Sequence, residues 1–188
     1  MKTSEELEQE FIAAAKEKTG EDLDAWMGIL EGKAFQKMKE TVDFLKKDKG
    51  INHMNATFIA GIYLNGGKPV HDSKALFNAH FDTNEDKLPI YQALEKAVKA
   101  LNPAVQVVPT KGYISFRNGK EYAVAKITKK NIRVGLDLGD LPFDDYTQKA
   151  KSLGTMPRIT HMVEITSTEE INDKLKGFIS QADKRVNG

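Results

Sequence analysis

The residue types with the most evident chemistry cluster between positions 111 and 133. Seven basic side chains lie there, and Glu121 is the one acid among them: Lys111, Arg117, Lys120, Lys126, Lys129, Lys130 and Arg133. Tyr113 and Tyr122 are interleaved with these cations. Cationic side chains attract phosphates, and aromatic rings stack on nucleic-acid bases. The stretch therefore favours an anionic partner: a small phosphorylated ligand, single-stranded nucleic acid or an acidic protein.

His161 is the histidine with the most chemical interest, because it begins an alternating run with Val163 and Ile165. As an acid/base it would work with Lys111 or Lys126 holding a small anionic substrate. The alternative is a structural histidine that points inward at the start of a strand, its ring nitrogens bonded to the protein. We expect the structural role more strongly than the catalytic one.

Metal and cofactor chemistry has no support in the pattern of residues. The sequence has four histidines and no cysteine, and no His-Glu-x-x-His pair, phosphate loop or dinucleotide fingerprint occurs. Four acids that follow the basic stretch lack the spacing of a calcium loop and read as a solvated acidic loop: Asp137, Asp140, Asp144 and Asp145. We expect no metal and no cofactor.

The composition is that of a globular protein. The chain has 188 residues, of which 40% are hydrophobic and 29% charged, with a formal net charge of +1. This length supports one ample core or two small ones. No apolar run approaches the ~20 residues of a membrane span, and no signal peptide is evident, so we expect no membrane association. The absence of cysteine excludes disulfides and fits a cytoplasmic location.

The first 65 residues carry the periodicity of helices and predict an N-terminal helical domain over 1–65. Ser4 can cap a helix over about 5–18, and Asp22 can cap a helix that begins at residue 23. Asn52 can cap a helix that runs to about Leu64. A further helix over about 34–48 places Phe35, Met38, Val42 and Leu45 on one face. Residues 66–84 contain Gly66, Gly67 and Pro69 and predict a linker, within which Ala75–Phe81 can form a short helix that docks on either domain.

From about Glu85 the pattern becomes mixed and predicts an α+β domain over 85–188. Pro89 opens a helix whose apolar face is Tyr91, Leu94, Val98 and Leu101. Strand-like runs follow at 105–108, 113–117, 121–128, 132–138 and 161–166, and a final helix spans about 168–184. The fold class is therefore α+β: an N-terminal helical domain followed by an antiparallel β-meander sheet flanked by helices.

Two turns set a register for the central strands. Asn118-Gly119 suits a two-residue type I′ turn, which places Arg117 opposite Lys120 and Ser115 opposite Tyr122. A two-residue turn at Lys129-Lys130 places Ile127 opposite Ile132. Both turns put the same apolar set on one face: Ile114, Phe116, Ala123, Ala125, Ile127, Ile132, Val134 and Leu136. The other face would carry the basic residues with Tyr113 and Tyr122, although half of any antiparallel sheet is polar when it faces solvent.

Two families share motifs with this sequence. Residues 19–65, with Thr19-Gly20, Trp26, Phe44-Leu45-Lys46 and His53, resemble the domain-of-unknown-function family 4287. Residues 86–186 resemble the domain-of-unknown-function family 5655 through these residues: Lys111, Tyr113, Phe116, Lys120, Thr128-Lys129-Lys130, Leu136 and Thr160-His161. The resemblance implies a two-part chain and carries no activity with it.

Three functions are consistent with these patterns. The first is a non-enzymatic binding module whose basic sheet face holds an anionic ligand or nucleic acid. Its candidate residues are Lys111, Tyr113, Arg117, Lys120, Tyr122, Lys126, Arg133 and His161. The second is an enzyme acting on a small anionic substrate. The third is a protein-interaction module in which the N-terminal helices cover the sheet face. The sequence leaves the ligand and the oligomeric state open.

Overall fold

The computed structural model describes residues 3–155 and 157–188. The chain forms two compact units, with the boundary between Asp72 and Ser73. The α+β class predicted from the sequence is confirmed, because helices make up the first unit and an antiparallel sheet with helices makes up the second. Among the described helices, none has both the length and the apolar character needed to cross a bilayer.

The first unit is helical throughout. Its helices are α1 (Ser4–Ala13), α2 (Ala15–Thr19), α3 (Leu23–Glu31), α4 (Met38–Lys47) and α5 (His53–Leu64). Asp22 and Asn52 cap α3 and α5 as expected, each accepting a 2.9 Å hydrogen bond from the backbone N–H three residues later. The cap of α1 is Thr3, not Ser4, because Thr3 and Glu6 exchange hydrogen bonds in a capping box.

Two of the expected helices are shorter than their periodicity suggested. The helix expected over 5–18 is interrupted at Ala14, which separates α1 from α2. The helix expected from residue 34 begins at Met38, because Ala34 has φ of +53° and left-handed backbone cannot continue a right-handed helix. Phe35 still packs on Phe44, with ring centroids 5.3 Å apart.

Trp26 lies in the core of the first unit, and its indole N–H donates to Thr19 Oγ1 over 2.8 Å.

The buried carboxylate of Glu8 accepts the backbone N–H groups of Val70 and His71 over 3.0 and 2.8 Å. The first half of the segment expected to be a linker is therefore fastened to α1. The second half begins the next unit.

The second unit contains three α-helices and six described strands. The helices are α6 (Ser73–Phe81), α7 (Leu88–Leu101) and α8 (Asp173–Asn187), with short 3-10 turns at Glu85–Lys87 and Thr168–Glu170. The strands are β1 (Gln106–Pro109), β2 (Ile114–Asn118), β3 (Lys120–Ile127), β4 (Ile132–Leu136), β5 (Gln148–Lys149) and β6 (His161–Ile165). The order in the sheet is β1-β2-β3-β4-β6-β5, and neighbours are antiparallel.

One face of this sheet, the helix face, packs against helices. The apolar residues predicted to share a face are buried there with α7 and α8, apart from the half-buried Ile127. Phe77 and Phe81 of α6 contact Tyr91 of α7 with ring centroids 5.5 Å apart, so the helix expected within 75–81 exists and belongs to the second unit. The aromatic cluster joins α6 and α7 to the sheet.

Candidate functional site

The β2–β3 hairpin differs from its predicted register. Ser115 pairs with Val124, not Tyr122, and Arg117 pairs with Glu121, not Lys120. Tyr122 is an extra residue in β3, a bulge opposite the Phe116–Arg117 step. Because a bulge adds one residue to a strand, it reverses the alternation on one side of it. Ala123 therefore faces the helices as predicted, while the residues before it change faces.

Tyr122 is buried in the core of the helix face, so its predicted place on the opposite, basic face is wrong. It is 1% exposed. Burial raises the pKa of its phenol, and the nearby carboxylate of Asp183 on α8 raises it further. A ring enclosed in this way cannot stack on a nucleic-acid base, which removes Tyr122 from the candidate site.

Glu121 changes faces in the opposite sense. The register predicted from the two turns places Glu121 on the apolar face, at the strand's end where it can reach water, but it is 4% exposed on the other face. Its carboxylate accepts from Ser115 Oγ over 2.6 Å and from the N–H of Thr155 over 2.8 Å, and Arg117 Nη2 lies 3.8 Å away. Glu121 thereby ties two strands to the loop that crosses them.

That loop covers much of the face that the binding-module hypothesis requires to be open. Leu153 and Ile159 pack with Val124 and Met162 in a second small core, which Tyr113 borders. Gly135 makes this close approach possible: a Cβ there would lie 2.7 Å from Ile159 Cγ2 and from Val124 Cγ2. We call this side of the sheet the covered face. Its centre is closed to a large ligand by the chain's own residues 150–155 and 157–159.

His161 has the structural role that was the stronger expectation. It is fully buried, and its Nε2–H donates to the carbonyl oxygen of Leu141 over 2.8 Å. Its Nδ1 accepts from Thr160 Oγ1 over 2.7 Å, and its ring lies 4.6 Å from that of Phe143. With both nitrogens bonded to protein groups, the ring has no position left for a substrate proton. The geometry favours a positioning residue over an acid/base.

The remaining candidates fall at opposite ends of the sheet. Arg117 and Lys120 lie beside the β2–β3 turn, where Arg117 also donates to Ser115 Oγ over 3.3 Å. Lys126 and Arg133 are directly paired on β3 and β4 near the other end. Lys126 Nζ donates to the carbonyl oxygen of Ser152 over 3.4 Å, and Arg133 Nε donates to the carboxylate of Glu164 over 3.1 Å. The seven basic residues therefore do not form one surface.

Two similar turns lie at the end that carries Lys126 and Arg133. In each turn, the backbone N–H of a threonine donates to the carbonyl oxygen of the residue three positions later. The threonine hydroxyl accepts the backbone N–H groups of the residues two and three positions later. One turn, 110–113, presents Lys111. The other, 128–131, has Lys129 and Lys130 in its two-residue loop, and the predicted β3–β4 register is confirmed there.

We name the surface at this end the basic end: Lys111, Tyr113, Lys126, Lys129, Lys130 and Arg133. Lys111, Lys129 and Lys130 are exposed, and the other three are half-buried. β6 ends at the same edge, where Glu164 pairs with Arg133, and Glu169 and Glu170 follow it in sequence. The arrangement offers four lysines and one arginine at the rim of a folded sheet, with a tyrosine ring next to them.

The acidic loop is not simply solvated. Asp137 is 2% exposed and forms ion pairs with Arg185 of α8 and with Arg158, whose Nε lies 3.9 Å from Asp137 Oδ2. Burial raises the pKa of Asp137, and the two arginines oppose this effect. Sequence reasoning missed Arg158 and Arg185, because both are distant from Asp137 in sequence and neither belongs to a motif.

Asp144 has a local role in the same loop. Its carboxylate accepts from Thr147 Oγ1 over 2.8 Å, and from the N–H groups of Thr147 and Tyr146. These bonds lower its pKa to about 2. Over residues 3–155 and 157–188, no three His, Asp or Glu side chains converge in a way that could hold a metal ion.

Family models match both units. The model of a domain of unknown function, DUF5655, matches residues 77–182, which is more than half of the chain. The chain belongs to this family. A second model, DUF4287, also a domain of unknown function, matches residues 8–65. Both resemblances seen in the sequence are thereby confirmed. Searches of curated proteins and of solved structures found no match.

The DUF5655 match covers the whole sheet and ends within α8. Of the residues that carried the resemblance, Lys111, Tyr113 and Thr128-Lys129-Lys130 form or flank the two threonine turns. Thr160-His161 fastens the start of β6 to the acidic loop. Phe116 and Leu136 are buried in the core of the helix face, and Lys120 begins β3 beside the β2–β3 turn. The motif residues of this DUF5655 chain are therefore divided among the two ends of the sheet and its core.

Proposed function

We propose that the second unit is a non-enzymatic binding module that holds an anionic partner at its basic end. The observation that carries the proposal is the pairing of Lys126 with Arg133 beside the turn that bears Lys129 and Lys130, with the Lys111 turn at the same end of the sheet. The turns are held by threonine hydroxyl bonds, so the cations are presented from ordered backbone. Ordered cations lose less entropy on binding a chain of phosphates than the same charges on a mobile loop would.

Single-stranded nucleic acid is the partner that uses every component of this surface. The lysines and Arg133 would contact phosphates, and the accessible part of the Tyr113 ring would stack on a base. Tyr113 is half-buried and borders the core of the covered face, which holds the ring in place. The net charge of +1 argues for weak binding at physiological salt. We also propose a cytoplasmic location, because the sequence contains no cysteine.

The catalytic alternative has less support at this surface. It required His161 to exchange a proton beside Lys111 or Lys126, but His161 is buried at the start of β6, at the opposite end of that strand from the basic end. The protein-interaction alternative stays a candidate, because an acidic protein would meet the same cations. Nucleic acid and protein partners differ in their salt dependence and in their need for Tyr113.

A titration with fluorescent single-stranded and duplex oligonucleotides at low and at physiological salt tests the proposal. The variant replaces Lys126, Lys129 and Lys130 with Ala. The matched control removes the same charge elsewhere, with Ala at Lys120, Lys176 and Lys184. We expect the variant, and not the control, to weaken binding. The salt slope should flatten by about 2 for single strands, since each phosphate contact contributes about 0.7.

The role of Tyr113 needs separate variants, because its ring also packs. Tyr113→Phe keeps the ring, and Tyr113→Leu keeps apolar packing without it. We expect Phe to bind as the wild type does. Leu should lose affinity without a change in salt slope, since stacking is worth about 1–3 kcal/mol per base and carries no net charge. Absence of binding at low salt would exclude nucleic acid as the partner. Equal weakening in the lysine control would exclude the basic end as the binding site.

A further inference from the structure

The acidic-loop end of the second unit contains two adjoining concavities. One, of about 470 Å³, is lined mainly by apolar side chains from the loops before β5 and before β6, including Leu141, Phe143 and Ile159. The other, of about 520 Å³, is lined by polar groups that include Asp137, Arg158 and Arg185. Gly139, Asp140, Pro157 and Thr160 line both. The two therefore form one cleft with an apolar half and a charged half.

The charged half is built around a buried carboxylate. One carboxylate oxygen of Asp137 pairs with Arg185, and the other lies 3.9 Å from Nε of Arg158. A guanidinium has five N–H donors, so an ion pair with one carboxylate leaves donors that can bind a second anion. The side chains of Arg158 and Arg185 are 43% and 49% exposed, against 3% for Asp137. Asp137 thus orients two cations toward the cleft.

Gly139 sets the depth of this half. Its φ is +60°, and a Cβ there would lie 2.5 Å from Nε of Arg185. The guanidinium therefore rests directly on the backbone of Gly139, where any side chain would displace it. Both the left-handed backbone and the close approach require glycine at this position.

The apolar half is held in shape by His161. Its Nε2–H bond to the Leu141 carbonyl and its contact with the Phe143 ring fasten one wall of the cleft to β6. Phe143 is nevertheless 53% exposed and lines this half of the cleft, so its ring is accessible to a ligand. His161 therefore has a structural role at the cleft, although it takes no part in the basic end.

We propose that this cleft binds a small monocarboxylate with an apolar body, its carboxylate between Arg158 and Arg185 and its body against Phe143 and Ile159. Arginine pairs bind carboxylates through charge-assisted hydrogen bonds. The charged residues that line the cleft are Lys149, Arg158, Arg185, Asp137 and Asp140. Their net charge of +1 matches a singly charged carboxylate better than a phosphate dianion.

The test uses the full chain and four probes at low-millimolar concentration: octanoate, 3-phenylpropionate, acetate and octanol. Amide chemical shifts followed by NMR report both affinity and position. We expect octanoate or 3-phenylpropionate to shift the amides of Gly139 and Thr160. Acetate, which lacks the body, and octanol, which lacks the charge, should bind more weakly. If neither longer carboxylate binds, or if acetate or octanol binds as well as they do, the proposal is wrong.

Arg158→Gln is the informative variant, because Arg158 is the more distant partner of Asp137. We expect it to weaken carboxylate binding by about tenfold, the cost of one charge-assisted hydrogen bond. Lys184→Gln removes the same charge beside Arg185 without touching the cleft lining and should leave the affinity unchanged. Equal affinity in Arg158→Gln and wild type, with both spectra showing folded protein, would overturn the assignment. The oligonucleotide titration addresses the basic end separately.

Discussion

Replacing Gly135 with Ala tests whether the loop that carries Leu153 and Ile159 closes the covered face. The added Cβ would lie 2.7 Å from Ile159 Cγ2 and from Val124 Cγ2, and 2.8 Å from Leu153 Cδ2. Carbon atoms in contact are normally separated by about 3.5–4.0 Å. Three side chains must therefore each give way by roughly 1 Å, and the loop is the part that can move away from the sheet.

The magnitude follows from two opposing effects. Overpacking a closed core costs about 1–3 kcal/mol. Alanine also restricts the unfolded chain more than glycine does, which stabilises the folded state relative to the unfolded one by about 0.4–1 kcal/mol. We expect a net decrease of about 1–2 kcal/mol in the free energy of unfolding of the second unit. Gly177→Ala is the matched control, because a Cβ on this residue of α8 meets nothing within 4 Å, and we expect it to be neutral or stabilising.

Hydrogen exchange measures the effect in the right unit. Trp26 is the only tryptophan of the sequence and lies in the first unit, so its fluorescence does not report on the sheet. The N–H of Ala150 donates to the Thr160 carbonyl, and that of Thr155 to Glu121. Both should exchange faster in Gly135→Ala. If this variant is as stable as Gly177→Ala and protects both amides as the wild type does, the loop does not pack on Gly135.

Two further predictions concern the turns and the acidic loop. Thr128→Ala should lower the free energy of unfolding by about 1 kcal/mol, because the hydroxyl accepts two N–H groups in the β3–β4 turn, whereas Thr128→Ser should not; urea unfolding of both variants decides. The folded-state pKa of Asp144, about 2, lies below its ordinary value of 3.8, so this group stabilises the fold above about pH 4 and loses that effect as the pH falls toward 2. Carboxyl NMR should show Asp144 titrating near pH 2; a midpoint near 4 would mean that its bonds to Thr147 do not form in solution.

Local chemistry was enough to predict much of the architecture. Asp22 and Asn52 cap helices because their side-chain oxygens accept N–H groups only three residues away. The alternation from Ala123 to Leu136 predicted the β3–β4 pairing, since a slip by one residue would expose the whole apolar set. The separation into a helical part and a sheet part followed from the change in hydrophobic period.

The tertiary structure decided which surfaces are available. The bulge at Tyr122 moved that ring into the core and brought Glu121 to the covered face, where the Thr155 amide lies. No local sequence pattern predicts this exchange of faces. It becomes favourable only when the loop and α8 supply contacts for the side chains of Glu121 and Tyr122. The same holds for Asp137, whose partners Arg158 and Arg185 come from distant segments. Sequence period determines which residues share a face, but what covers that face depends on contacts that form only when the chain has folded.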